Sequence, residues 1–176
     1  RDICNKKNII LIFDECTSGF RSSYGGLHLK YNINPDIAIF GKALGNGYAI
    51  NAIIGKKEIM NATKKTFVSS TFWTERLGSV AGLETLRCMK KIKSWDIISK
   101  IGRKIKANWN NIAINNSIKI DIQGLDALPN FNFRSNNHNL YKTYISQEML
   151  KKKIMNEYSE ELNCTKFINI YRSIFE

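Results

Sequence analysis

The sequence has no paired-cysteine spacing, almost no histidine and no long apolar run. Its four cysteines, Cys4, Cys16, Cys88 and Cys164, stand far apart with no C-x-x-C among them. That argues against a zinc site and predicts reduced thiols in a cytoplasmic protein. The only histidines, His28 and His138, sit in no ligand-type cluster, so no metal centre is expected. No stretch approaches the roughly 20 apolar residues that a membrane-spanning helix requires. The N-terminus, Arg1-Asp2-Ile3-Cys4, has no signal-peptide plan and no initiator Met. It reaches a buried-type strand within a few residues, and the reading is therefore of a fragment of a longer protein. Acidic residues are also scarce, 15 against 27 Lys and Arg, for a net charge of +12. A basic nucleic-acid-binding module would carry such a charge. The lysines, however, alternate with Asn and Ile and line no single stripe. Arg103–Lys106 and Lys151–Lys153 are short clusters on helix-type segments, and nucleic acid is not the expected partner.

What is present is a core-forming composition, 43% apolar and 11% aromatic over 176 residues, enough for one ordinary domain or two small ones. Ile9–Phe13 runs apolar without alternation and ends in Asp14-Glu15, the pattern of a strand covered on both faces in a parallel sheet. Asp36–Phe40 repeats it after the turn pair Asn34-Pro35. A polar, glycine-bearing connection, Thr17 to Asn34, lies between them. Ala52–Ile54 is a third strand candidate, and Lys57–Ala62 could form a turn of helix. From Thr74 onward Leu77, Val80, Leu83, Leu86 and Met89 recur every three residues, which predicts a helix. Ser94 is a plausible N-cap for the next one, in which Trp95, Ile98, Ile101, Ile105, Trp109 and Ile112 follow a helical period. Gly102 interrupts it. Ile118, Ile120 and Ile122 then alternate with polar residues, as do Phe131 and Phe133 beyond Gly124, which predicts an antiparallel strand pair. Leu140–Leu150 and Lys166–Phe175 read as helices. The predicted organisation is 1–93 as the second half of a parallel α/β domain, 94–106 as a connecting helix, and 107–176 as a small α+β domain.

Three groups along the first part could meet. A carboxylate at Asp14, at the carboxyl end of a strand, faces the ligand crevice of an open α/β sheet; it could hold a protonated ring nitrogen or merely cap a turn. Lys42 follows the second strand and opens the glycine-rich turn Gly41–Gly47. In a partly desolvated crevice its neutral amine could attack an aldehyde; otherwise it is one surface lysine of many. Thr71 stands before a predicted helix, where hydroxyls and N–H groups suit a phosphate or where a hydroxyl simply caps. A carboxylate, an amine and a hydroxyl in this order are what pyridoxal phosphate needs. A rival reading takes Ile9–Glu15 as a Walker B strand of a nucleotide hydrolase. It requires a G-x-x-x-x-G-K-[ST] loop. The only candidate here, Asp36–Ala43, lacks the first Gly and the final hydroxyl, which weakens the reading without excluding a loop farther upstream.

Read in order, Leu11–Arg21 with Tyr24-Gly25-Gly26, Pro35-Asp36, Gly41-Lys42, Gly55–Met60 and Ser70–Trp73 resemble the class III aminotransferases of pyridoxal-phosphate fold type I. More narrowly, they are similar to the glutamate-1-semialdehyde 2,1-aminomutase branch. The resemblance is ordered over about residues 9–90 and continues by pattern alone. It implies an α/β fold, the C-terminal part of a large domain with a mostly parallel sheet plus a small α+β domain. The activity implied is amino-group transfer from a small-molecule donor to an aldehyde or ketone acceptor. Pyridoxal 5'-phosphate is the implied cofactor, and the full-length protein is implied to be a homodimer. Under it Asp14 pairs with the ring nitrogen, Lys42 forms the Schiff base and moves the proton, and Thr71 binds phosphate, usually across the subunit interface. Cys16 stands where a Val usually packs on the ring. The aminomutases carry Gly-Asn-Pro soon after the threonine; here Trp73-Thr74-Glu75-Arg76 stands instead, which points to a related transaminase. The fragment alone is expected to be inactive.

Overall fold

The computed structural model describes residues 1–73 and 75–151. A short helix α1 (Asp2–Lys7) leads into strand β1 (Ile12–Asp14). A turn-rich connection with helix α2 (Leu27–Lys30) follows, then β2 (Ile37–Phe40), β3 (Ala52–Gly55) and α3 (Lys57–Met60). Two long helices come next, α4 (Leu77–Ile92) and α5 (Ser94–Asn115), then β4 (Ile120–Gln123), β5 (Asn130–Phe133) and α6 (His138–Lys151). The predicted helix at Lys166–Phe175 lies outside the described residues. The described chain falls into two compact units. The first holds Arg1–Ile112 with Ile122–Asn130; the second holds Ala113–Asp121 and the residues from Phe131 on.

In the first unit β1 pairs with β2 in parallel, Asp14 opposite Ile39, and β3 closes antiparallel on β2. A parallel sheet that carries one antiparallel edge strand is common in α/β folds. Its core is small: Phe20, Ala38, Phe40 and Leu44, with Ile50, Leu86 and Met89 packed against them. The expectation that Ile9–Phe13 would be covered on both faces is not met. Ile9, Ile10 and Ile12 are about half exposed, 53%, 53% and 52%. Strand β1 is an edge of the described sheet, so one of its sides has no neighbour there.

Helix α4 also departs from the expected face. Residues three apart on a helix of 3.6 residues per turn drift by about 60° each step, so Leu77, Val80, Leu83, Leu86 and Met89 spiral around it. Leu86 and Met89 reach the core, whereas Leu77, Val80 and Leu83 are 64%, 65% and 53% exposed. The face turned inward is the one with small residues. A Cβ on Gly78 would lie 3.0 Å from the Ala49 carbonyl oxygen, and one on Gly82 would lie 3.4 Å from Ile50. Ser94 does not cap α5. It is the helix's first residue, and its buried hydroxyl has no hydrogen-bond partner among the described residues; Lys93, in the left-handed region at φ 50°, makes the break between the helices.

Gly102, an interruption by sequence, is buried and holds α5 against the loop after β4. A Cβ there would overlap the Asp126 carbonyl oxygen. That backbone cannot yield easily, because the Asp126 carboxylate receives Arg103 and Lys106, each at 3.1 Å. Gly102→Ala should gain about 1 kcal/mol of helix propensity and lose about 3 kcal/mol to overpacking. A net destabilisation of about 2 kcal/mol is expected, and denaturant midpoints of the two proteins measure it; an unchanged or raised midpoint would refute the close approach. The same contacts occupy the Arg103–Lys106 cluster, two of whose cations are spent on Asp126, and that weakens the nucleic-acid reading. Strands β4 and β5, where the two-residue alternation stood, make a two-stranded sheet. In the second unit Phe133 stacks edge-on against Phe131 and Tyr141, with ring centroids 5.4 and 5.3 Å apart.

Candidate functional site

Strands β1 and β2 run side by side in the same direction, so their carboxyl ends open together. Strand β1 ends at Asp14, and Glu15 is the first residue beyond it. Asp14 is exposed, and one carboxylate oxygen accepts the Cys16 N–H at 3.0 Å, a turn that closes on the strand end. Its other oxygen has no partner among the described residues. Glu15 is buried at 2% exposure. It accepts from the Ser18 hydroxyl and from the His28 N–H at 2.9 Å, and it meets His28 Nδ1 at 3.1 Å. Burial alone would raise its carboxyl; the hydrogen bonds from Ser18, Leu27 and His28 outweigh that and hold it below the usual range. Glu15 and His28 thus form a structural anchor beneath the strand end, which the sequence pattern did not single out.

On the neighbouring strand Phe40 ends in the core, and Gly41 is buried beneath the turn. A Cβ on Gly41 would stand 2.8 Å from Cys16 Sγ and 2.5 Å from the Asn51 side-chain oxygen, so a larger residue there would have to push both side chains aside. Lys42 follows with φ at 38°, in the left-handed region that costs a lysine about 1 kcal/mol or more. It opens a 3-10 turn whose last residue, Leu44, is locked in the core. The result is an exposed lysine on a rigid base. Its Nζ donates to Thr17 Oγ1 at 2.8 Å, in the turn that follows Asp14. Thr17 was not among the predicted site residues; the hydrogen bond alone reveals it.

The structure therefore brings Asp14, Cys16 and Lys42 to the carboxyl ends of adjacent parallel strands. A shallow cleft of about 380 Å³ touches Asp14, Phe13, Leu27 and Tyr31 and does not include Lys42; the link from Lys42 to the Asp14 turn runs through Thr17. Thr71 is not part of this cluster. It lies in an exposed turn, and α4 begins only at Leu77 with Arg76 at its N-cap and no side-chain cap bond. The alternative that the Thr71 hydroxyl simply caps that helix is not met, because it lies too far ahead of Leu77.

The Walker reading gains no support, because its one candidate loop within this sequence is not a phosphate turn. Residues 37–40 of its required loop are strand β2, and Asp36 is a buried ion-pair centre, not a phosphate turn. Its carboxylate takes the Leu11 N–H at 2.8 Å, Lys56 at 2.6 Å and Arg1 at 2.8 Å. Those contacts, in that order, hold it well below the ordinary carboxylate range. Lys56 is consequently tied down, whereas the amine of Lys42 meets only a neutral hydroxyl. An acid with an open oxygen beside a lysine outside any ion pair suits a protonated heterocycle bearing a carbonyl. Among the described residues no group of His, Cys, Asp and Glu could hold a metal ion, and no helix is long and apolar enough to cross a membrane.

Comparison with known proteins gives the same direction. Residues 1–161 match the family model described as aminotransferase class-III. The chain is 36% identical to a 3-aminobutyryl-CoA aminotransferase of Cloacimonas acidaminovorans over 143 residues, 81% of this chain and 34% of that protein. It is 37% identical to a glutamate-1-semialdehyde 2,1-aminomutase of Wigglesworthia glossinidia brevipalpis over 134 residues, 73% of this chain and 30% of that one. It spans about a third of the length of these curated relatives. Among solved structures, FumI of Sphingopyxis sp. MTA144 superposes with a TM-score of 0.79 at 22% identity, covering 90% of this chain and 38% of FumI. An ornithine aminotransferase of Plasmodium yoelii superposes at 0.66 with 27% identity, over 76% of this chain and 36% of its own. The likeness shows the α/β fold of part of a fold type I transaminase.

Proposed function

This chain belongs to the class III aminotransferase family, and from that premise we propose that the full-length protein is a pyridoxal-phosphate-dependent transaminase. It would move an amino group between a small-molecule amine and an aldehyde or ketone. The observation that carries the reading is the pairing of β1 with β2. It sets Asp14 and Lys42 at neighbouring strand ends, with the lysine amine hydrogen-bonded to the turn after Asp14.

When bound, the cofactor supplies an aldehyde that takes the amino group and a ring that accepts electrons from the substrate carbon. Lys42 Nζ would hold the cofactor through its amine and would serve as the base and acid for the proton at the reacting carbon. The Asp14 carboxylate keeps the ring nitrogen protonated by charge and hydrogen bond. Cys16 packs as a small apolar group against one ring face. Thr71 supplies a phosphate ligand from a second copy of the chain, in a homodimer. Phe67, Trp73, Leu77 and Val80 flank that residue with 94%, 65%, 64% and 65% exposure, an apolar surface of the kind that a subunit interface covers. The relative with 36% identity is named an aminotransferase, and the Trp73-Thr74-Glu75-Arg76 departure favours exchange between two molecules over the aminomutase reaction. A cytoplasmic setting is in keeping with free thiols at Cys4, Cys16 and Cys88. The 176-residue chain by itself is expected to be inactive.

The test is covalent mapping. Full-length protein is mixed with pyridoxal phosphate, reduced with borohydride, digested and analysed by mass spectrometry. Label on Lys42 is expected, together with a visible absorption band on mixing. Label on another lysine, or on none, overturns the assignment.

A further inference from the structure

We propose that Thr17 is a positioning residue for Lys42, its hydroxyl holding the lysine amine over the Asp14 turn where covalent attachment takes place. The inference rests on the reading of Lys42 as the attachment point. Two observations converge on it. The near end of the lysine is fixed by backbone: φ is 38°, Gly41 beneath is buried against Cys16 and Asn51, and Leu44 anchors the turn. The far end is fixed by Thr17 Oγ1, at 2.8 Å from Nζ. A four-carbon stem is otherwise free to explore many rotamers, and Thr17 is the group that selects one.

The chemical identity of the partner matters. Lys56 and Lys106 are held by the carboxylates of Asp36 and Asp126, which can only accept and so favour the charged amine. A hydroxyl accepts from an ammonium and donates to a neutral amine. The Thr17 contact therefore survives the loss of the proton that must precede nucleophilic attack. A carboxylate at the same place would resist that loss.

The experiment compares Thr17→Val, which removes the hydroxyl at similar shape, with Thr17→Ser, which keeps it, in the full-length protein. In cofactor-free protein, trace acetylation of Lys42 at one alkaline pH is measured by mass spectrometry against Lys57 as internal reference. A change of about threefold or more is expected in Thr17→Val and none in Thr17→Ser. Capture of pyridoxal phosphate, followed by visible absorbance, should slow about tenfold in Thr17→Val and return towards the original rate in Thr17→Ser, at unchanged melting temperature. Equal acetylation and equal capture in Thr17→Val would overturn the positioning role alone. A loss in Thr17→Ser as large as in Thr17→Val would also overturn it, since the hydroxyl would then not be the cause. Altered acetylation with no capture at Lys42 even in the unsubstituted protein would overturn the reading of Lys42, and the positioning role with it.

Discussion

Replacement of Lys42 by Ala in the full-length protein is expected to lower kcat by about 10⁴-fold or more, the scale seen when a covalent catalyst is removed outright. The variant should still fold. Lys42 is exposed, makes no ion pair among the described residues, and sits at a positive φ that costs an alanine no more than a lysine. The melting temperature should accordingly stay close to that of the parent while turnover collapses, and the two measurements together separate a chemical role from a structural one. Lys42→Arg should not restore activity, because a guanidinium stays charged at any usable pH and has no lone pair to offer. Lys56, in the same region of the chain, is the control. Its amine is engaged by Asp36 at 2.6 Å, so its loss should be felt in stability and leave turnover largely intact. Steady-state rates for the three variants check this. Retained turnover in Lys42→Ala would end the case for covalent chemistry at this position.

How much of this was legible before the structure depends on the kind of signal. The strand ends were legible because an apolar run that stops at Asp14, and another that stops at Gly41-Lys42, mark where buried backbone reaches solvent. The order of the family's motifs added what the residues alone left open. The helices α4, α5 and α6 were legible as helices, and on α5 Trp95, Ile98, Ile105 and Trp109 of the expected face are partly buried, but the face of α4 was not legible. On α4 a period of three mimics a stripe while winding around the helix, and the true contact face is written in Gly78 and Gly82, residues that carry no hydrophobic signal. Gly102 was misleading for the same reason: a glycine in a helix reads as a weakness until the carbonyl that it accommodates is seen. Helix α1 was missed because none of its residues is buried; only its end charges and Asn8, left-handed at φ 54°, mark it. The Glu15–Ser18–His28 anchor and the Thr17 contact span loops, and no periodicity encodes a hydrogen bond between a turn and a residue 25 positions away.

Asp14→Asn should cost about 10³-fold in kcat with little effect on stability, and the pairing of those two outcomes is what gives the prediction force. Asparagine has the shape of aspartate and keeps an oxygen for the Cys16 N–H that Asp14 now accepts at 3.0 Å, so the turn survives. Asp14 is exposed, and substitutions at such positions away from special backbone geometry usually change stability by no more than about 0.5 kcal/mol. What the amide loses is charge, and with it the ability to keep a heterocyclic nitrogen protonated: its second polar group donates and cannot accept. The acid next door cannot substitute. Glu15 is buried at 2% exposure, and its oxygens are taken by Ser18 and His28. The loss should therefore fall on turnover, not on cofactor capture by Lys42, because the covalent bond is made at the other end of the ring. Wild-type kcat in Asp14→Asn would show that the open carboxylate oxygen at the end of β1 faces no ring nitrogen.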